Sequence, residues 1–275
     1  MVSVKEFKFP YKSRTSKHIH AILSDTHIGN KGAHKDLIKR TIGWIDEYAD
    51  TWSGGGDYIE AITHDDERRF DWATLDRELA TPKEQTAWMA DALEPIAGKC
   101  LGLLRGNHEY EVERRRGYDA VDTLAEKLGT EAWGYSAFMR FRFNRGQHRT
   151  KFDVFMHHGK TAARTKGGKI NKLRSLDRIF EADAYCMSHV HDVNADIRPF
   201  LTIDNKLNII EKRKLYVLTG GFLRAYVKDI STYVERGMYV PTTLGGVFLE
   251  FNPEKDIYPA MRAQEIPVMP KEASP

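Results

Sequence analysis

Short apolar runs recur along the chain, and four of them stop abruptly at clusters of Asp, His and Asn. His20-Ala-Ile-Leu-Ser leads into Asp25-Thr-His27, and Lys99-Cys-Leu-Gly-Leu-Leu leads towards Gly106-Asn-His108. Phe152-Asp-Val-Phe-Met leads into His157-His158-Gly159, and Ala184-Tyr-Cys-Met-Ser into His189-Val-His191. Runs of this length closed by a turn predict buried strands, and side chains at strand ends can converge on one edge of a sheet. Between them the period is helical. Residues 36–48 bring Leu37, Ile38, Ile42, Ile45 and Tyr48 to one side, and residues 85–97 do the same for Trp88, Met89, Ala92, Leu93 and Ile96. Glu94-Pro95 leaves the end of the second helix open, and a third helix over 119–128 is stopped by Gly129. Residues 137–143, 215–219 and 245–251 read as further strands. Thr51-Trp-Ser-Gly-Gly-Gly is poor strand material, although the pattern requires a strand or its end there. Alternating strands and helices followed by a strand-rich end predict an α+β protein, a mixed sheet system with helices outside. One domain is expected over 18–252. Residues 1–17 read as an N-terminal extension, and 253–275, which hold five of the ten prolines, as an extended tail.

Composition narrows the class. With 41% hydrophobic and 11% aromatic residues, the 275-residue chain has material for a sizeable core, which excludes wholesale disorder. Mean hydropathy is −0.53, and no run approaches the roughly 18 apolar residues of a membrane span. Met1-Val-Ser-Val-Lys-Glu-Phe-Lys carries charge where a signal peptide needs an apolar stretch, and the two cysteines, Cys100 and Cys186, lie in apolar runs. The expectation is a soluble cytoplasmic protein without a membrane partner; nothing in the pattern sets its oligomeric state. The net charge of +3 says little, but its distribution is uneven: residues 160–178 hold seven basic residues against one acid, Asp177.

The polar clusters acquire meaning as an ordered series. Asp25-Thr-His27 is followed by Gly56-Asp57, Gly106-Asn107-His108-Glu109, His157-His158-Gly159 and His189-Val-His191. A lone Asp-x-His is an ordinary helix cap and a lone His an ordinary core residue; five such clusters, each after a short apolar run, are a donor set. In extended backbone, residues i and i+2 point the same way, so Asp25 and His27, or His189 and His191, can approach one ion from the same side. Imidazole, carboxylate and amide oxygen together suit divalent manganese, iron, zinc or nickel, and the absence of cysteine from these clusters argues against structural zinc. A carboxylate between two ions about 3.5–4 Å apart can bridge a pair that activates water and clamps a phosphoryl group.

This series resembles the calcineurin-like metallophosphoesterase superfamily over residues 18–195. Leu104-Arg-Gly-Asn-His-Glu109 is similar to the Ser/Thr phosphoprotein phosphatases, whereas Ser24-Asp-Thr-His-Ile-Gly29 looks more like the phosphodiesterase and repair-nuclease branches. The resemblance implies a four-layer αββα sandwich of two mixed β-sheets flanked by helices. It implies one metal on Asp25, His27 and His191, a second on Asn107, His158 and His189, and Asp57 bridging them. It implies hydrolysis of phosphate esters by a metal-bridging hydroxide, with manganese the first expectation for both ions. It further implies that His108 protonates the leaving group or positions the phosphate, and that the Glu60 carboxylate orients His108.

Departures from the family shape the substrate expectation. Glu60-Ala-Ile stands where the phosphoprotein phosphatases have Asp-Arg-Gly, so the arginine that grips phosphate is missing, and Ser188 stands where the last motif normally opens with Gly. The fourth motif leaves His157 and His158 as rivals. Neighbours on a strand face opposite ways, and the following Gly159 favours His158, with His157 behind it or in its place. Lys160, Arg164, Lys166 and Lys169 leave this ligand strand among glycines and are candidate substrate contacts. Gly220-Gly221 is a candidate second loop over the site. These features favour a phosphodiester, nucleic acid or nucleotide. A phosphomonoesterase acting on phosphoproteins or small molecules is the rival activity. Of a different class are a non-catalytic metal-binding scaffold and a basic nucleic-acid-binding module.

Overall fold

The computed structural model describes residues 2–64, 66, 70–254 and 261–267. Among these the chain is α+β, with two mixed sheets and six α-helices. The strands are β1 (Val2–Pro10), β2 (His18–Leu23), β3 (Thr51–Gly54), β4 (Cys100–Leu103), β5 (Ser136–Arg145), β6 (His148–His157), β7 (Ala184–Met187), β8 (Val193–Ile203), β9 (Ile209–Thr219), β10 (Val247–Phe251) and β11 (Met261–Glu265). The helices are α1 (Lys35–Tyr48), α2 (Pro82–Leu93), α3 (Asn107–Arg116), α4 (Ala120–Leu128), α5 (Lys166–Arg174) and α6 (Tyr233–Arg236). One sheet runs β1-β5-β6-β7-β9-β8 and the other β11-β10-β2-β3-β4.

Three apolar clusters separate the parts. Ile22, Leu249 and Phe251 of the five-stranded sheet meet Met139, Phe141, Val154, Cys186 and Val217 of the six-stranded sheet. On the other face of the five-stranded sheet, Ala21, Leu23, Trp52 and Phe248 pack on α1, α2 and α4 through Ile38, Ile45, Met89, Leu93 and Leu124. On the outer face of the six-stranded sheet, Phe155, Tyr185 and Tyr216 meet Leu173 of α5 and Leu176. Strands covered on both faces lose the apolar–polar alternation, which is why β2 and β7 read as continuous runs. The arrangement is compatible with a sandwich.

Helix boundaries follow local chemistry. The second expected helix begins earlier than its apolar period, at Pro82, because Thr81 and Glu84 form a capping box. It gives way at Glu94-Pro95 to a 3-10 turn over Glu94–Lys99. Asp119 caps α4, and Gly129 closes it in the left-handed conformation.

Both expected flanks are corrected. Val2–Pro10 do not stand apart as an extension: as β1 they pair in parallel with β5, and Phe7 and Phe9 pack into the inter-sheet core. Alternation of Phe7 and Phe9 with Glu6 and Lys8 is the strand signal, masked by its charges. Nor is 253–275 wholly a tail, because β11 pairs antiparallel with β10 and Ile266 is buried. The rest of that stretch, 255–260 and 268–275, lies outside the described residues. No helix among the described residues is long and apolar enough to cross a membrane.

Candidate metal centre

Every residue of the expected donor set comes from a loop or helix start just beyond a strand. The five-stranded sheet supplies Asp25 and His27 after β2, Asp57 after β3 and Asn107 after β4; the six-stranded sheet supplies His158 after β6 and His189 and His191 after β7. The weak stretch does form β3 over Thr51–Gly54, with Gly55 and Gly56 in the turn after it, and its glycines have a steric reason. At Gly56, with φ +89, a Cβ would lie 2.7 Å from the backbone nitrogen of Gly106 and from His158 Nδ1. At Gly106 it would meet Asp57 Oδ1 at 2.1 Å. Only bare backbone lets these loops close on each other.

The extended-backbone reason given for Asp-x-His and His-x-His is overturned. Asp25 (φ 53), His27 (φ 48), Asp57 (φ 53), His189 (φ 72) and His191 (φ 49) all have left-handed backbone. Such conformations in non-glycine residues are uncommon and concentrate at functional sites. The donors still converge. His27 Nε2 lies 3.2 Å from His191 Nε2, and His191 Nε2 lies 3.5 Å from Asp25 Oδ1. His158 Nε2 lies 3.2 Å from both Asn107 Oδ1 and Asp57 Oδ2. That same Asp57 oxygen is 3.8 Å from His27 Nε2 and 4.0 Å from His189 Nδ1. Asp25, His27 and His191 thus form one group able to hold a cation, and Asp57, His158 and His189 another; a third, His27, Asp57 and His108, overlaps both. Donors about 2.0–2.2 Å from a shared ion stand roughly 3–3.5 Å apart, close to the spacings here.

Hydrogen bonds around the centre aim the donors inward. His158 Nδ1 donates to the Gly55 carbonyl at 2.8 Å, and His27 Nδ1 donates to Glu60 Oε2 at 2.9 Å. In each neutral ring the Nε2 lone pair therefore points into the centre, where further acceptors wait. His189 Nδ1 is buried without a hydrogen-bond partner among the described residues. Lone pairs facing a carboxylate and an amide oxygen are repulsive until positive charge sits between them, and the donor set fits a divalent cation for this reason. Protons answer the same demand in its absence. Burial alone would lower His158 and His27, but Asp57 holds His158 at about 10 and Glu60 holds His27 at about 9. Burial, then the neighbouring Asp57 charge, pushes Asp25 up to about 7, and burial beside His158 pushes His189 down to about 4.

Glu109 fixes the framework. Its buried carboxylate accepts from the backbone N–H groups of Asp57 and Gly106 at 3.0 Å and of Ile59 at 3.2 Å, tying the β3 loop to the start of α3. Ser188 is also accounted for: Thr219 donates to its hydroxyl at 2.9 Å, and Thr219 lies 2.8 Å from Ser24 across the two sheets. A Cβ at Gly55 would lie 2.4 Å from Ser188 Oγ, so one glycine makes room for the serine that replaces another.

Three expected roles change or resolve. The Glu60 carboxylate does not orient His108; it holds His27 and accepts from Asn30 Nδ2 at 3.1 Å, while His108 Nδ1 donates to the Glu60 backbone carbonyl. The carboxylate turns to His27 because Glu60 N–H is tied to the Ile28 carbonyl, placing it beside the Asp25–His27 loop. Of the two rivals on β6, His158 faces the centre, whereas His157 Nδ1 accepts from Gly159 N–H at 2.7 Å. Of the four basic candidates, Arg164 and Lys169 line the cleft above the centre, while Lys160 and Lys166 are exposed outside its wall.

That cleft encloses about 630 Å³ and has His27, Asp57, His108, His189 and His191 at its base. Its far wall is the segment after β9, which brings Leu223, Arg224, Arg236 and Tyr239. The arginines and Tyr239 were not singled out from sequence; Gly220-Gly221 was the only signal for this wall. Arg164 lies over the Tyr239 ring, 5.0 Å from its centroid, across the cleft mouth. No family model matches the chain, and no match was found among curated proteins.

Proposed function

We propose that the protein is a dinuclear metal-dependent phosphoesterase of the calcineurin-like kind, built on a four-layer αββα sandwich and favouring phosphodiesters. One observation carries this reading: at the base of a cleft that carries Arg164 and Arg224, Asp57 Oδ2 belongs to the His158–His189 donor group and lies 3.8 Å from His27 Nε2 of the other. Asp25, His27 and His191 would hold one ion, Asn107, His158 and His189 the other, with Asp57 between them. Two such ions supply a nucleophilic water and neutralise charge developing on phosphorus. The chain's own groups do the rest. His108, whose N–H is fixed to Asp57 Oδ1 at 3.0 Å and whose Nδ1 is fixed to the Glu60 carbonyl, presents Nε2 to the cleft. From there a protonated imidazole can donate to the departing oxygen. Arg164, Lys169 and Arg224 line the cleft, and their positive charge would suit an anionic ester there.

The test is hydrolysis of bis-(p-nitrophenyl) phosphate and p-nitrophenyl phosphate with manganese, beside metal analysis of the purified protein. The diester is expected to turn over faster, and His108→Ala to lower kcat by about 10²–10⁴-fold while leaving the metal content unchanged. Inactivity on both esters with every divalent metal would defeat the proposal. Faster turnover of the monoester would favour the phosphomonoesterase alternative.

A further inference from the structure

Outside the cleft, positive charge continues where the catalytic reading has no use for it. After His158 the chain passes Lys160, forms the Arg164 rim and enters α5. On α5, Lys166, Lys169 and Lys172 stand on successive turns. Lys169 is half-buried, lines the cleft and pairs with Asp192 at 3.4 Å. Lys160, Lys166 and Lys172 are exposed and make no ion pair or side-chain hydrogen bond among the described residues. No acid lies within α5. The helix is held from beneath by Leu173, buried against the six-stranded sheet, so its lysines sit on a fixed support beside the metal-binding groups.

The cleft mouth adds a different chemistry. The exposed Arg164 guanidinium over the half-buried Tyr239 ring forms a flat cationic and aromatic surface. Exposed Met238 and Val240 flank it. A ligand matching both features is a repeating anion that also carries flat rings: an acidic peptide supplies only the charge, and a small phosphate ester reaches only the base of the cleft. Backbone-tracking cations combined with stacking surfaces are how proteins hold unpaired nucleic-acid strands.

We propose that Lys160, Lys166 and Lys172 form an exosite for a single-stranded polynucleotide, holding phosphates beyond the scissile one while bases stack at Arg164 and Tyr239. This rests on the phosphodiesterase reading for its catalytic meaning but is measurable without catalysis. Fluorescence anisotropy in EDTA, with labelled oligothymidylate and oligouridylate, compares the wild type with Lys160→Glu/Lys166→Glu/Lys172→Glu. A control carries Lys12→Glu/Lys206→Glu/Lys212→Glu, the same charge change elsewhere on the surface, and circular dichroism checks that both variants fold. At least one of the two strands is expected to bind the wild type. For it, the exosite variant raises Kd at least about tenfold and flattens the salt dependence by about 2 in log–log slope, while the control does neither. The strand that binds identifies the sugar. The exosite is overturned by unaltered Kd and slope, by equal loss in the control, by equal affinity for polyglutamate, or by failure of both strands to bind. Hydrolysis of bis-(p-nitrophenyl) phosphate by the wild type reports separately on the phosphodiesterase reading, so strand binding without any ester hydrolysis sinks that reading alone.

Discussion

Asp25, His27, Asp57, His189 and His191 are held in backbone that costs on the order of 1–3 kcal/mol each for non-glycine residues. Surrounding bonds hold them there: the Asp25 carboxylate accepts the His189 N–H at 3.1 Å, and Glu109 grips the Asp57 N–H. The identity of the donors was legible because carboxylate, imidazole and amide types are what binding a cation requires. The backbone that presents them was not, because no glycine marks these left-handed turns. The role of Glu60 was misassigned for a related reason, since residue order cannot say which of two nearby imidazoles a carboxylate turns towards. Placed on His27, it orients a ring with its lone pair facing the cation groups, and Glu60→Gln is expected to weaken manganese binding by about 10–100-fold in isothermal titration. Were Glu60 acting only through His108, affinity would hold and only kcat would fall.

Individual elements show how packing overrides local signals. Helices α1 and α4 were legible from their apolar period, but α3 begins at Asn107 and is nearly all polar, and α5 contains Gly167 and Gly168. Both are fixed by what they carry or touch, Glu109 in the first and Leu173 in the second. Strand β1 escaped notice because charge alternates with its phenylalanines. Truncating Phe9, which stacks on Phe141, is expected to cost roughly 2 kcal/mol in urea unfolding, less than the 3–5 of a fully buried ring. Strand β2 carries a different liability. His18 Nε2 and His20 Nδ1 both lie 2.9 Å from the Thr51 hydroxyl, and burial pushes His18 down to about 4 and His20 to about 3. Unfolded, each titrates near 6.5, so between about pH 6.5 and 4 the unfolded chain binds more protons than the folded one. Their contribution is complete above pH 6.5 and is lost as pH falls through the folded values. Urea midpoints are expected to drop across that window, and less steeply in His20→Phe; parallel curves would remove His20 as a cause.

For the molecule as a whole, the decisive feature is that each donor group draws from both sheets. Asp25 and His27 come from the five-stranded sheet and His191 from the six-stranded one; Asp57 comes from the former and His158 and His189 from the latter. A cation in either group therefore adds a link between sheets that also meet through apolar contact, the Ser24–Thr219–Ser188 hydroxyl chain and the His158–Gly55 and His189–Asp25 hydrogen bonds. The ordered series of strand ends made this convergence legible, whereas the far wall of the cleft was not, because its arginines and Tyr239 follow no strand-end pattern. Binding to the folded state at about 100 times Kd stabilises by about 2.7 kcal/mol per site. For a chain of this size one site corresponds to a rise in Tm of about 5 °C, and two independent sites to about twice that. His191→Ala removes a donor from one group only and is expected to retain about half of the manganese-induced rise in differential scanning calorimetry. Asp57→Asn changes the oxygen nearest to both groups and is expected to remove most of it. Equal losses in the two variants would mean that one ion, not two, ties the sheets together.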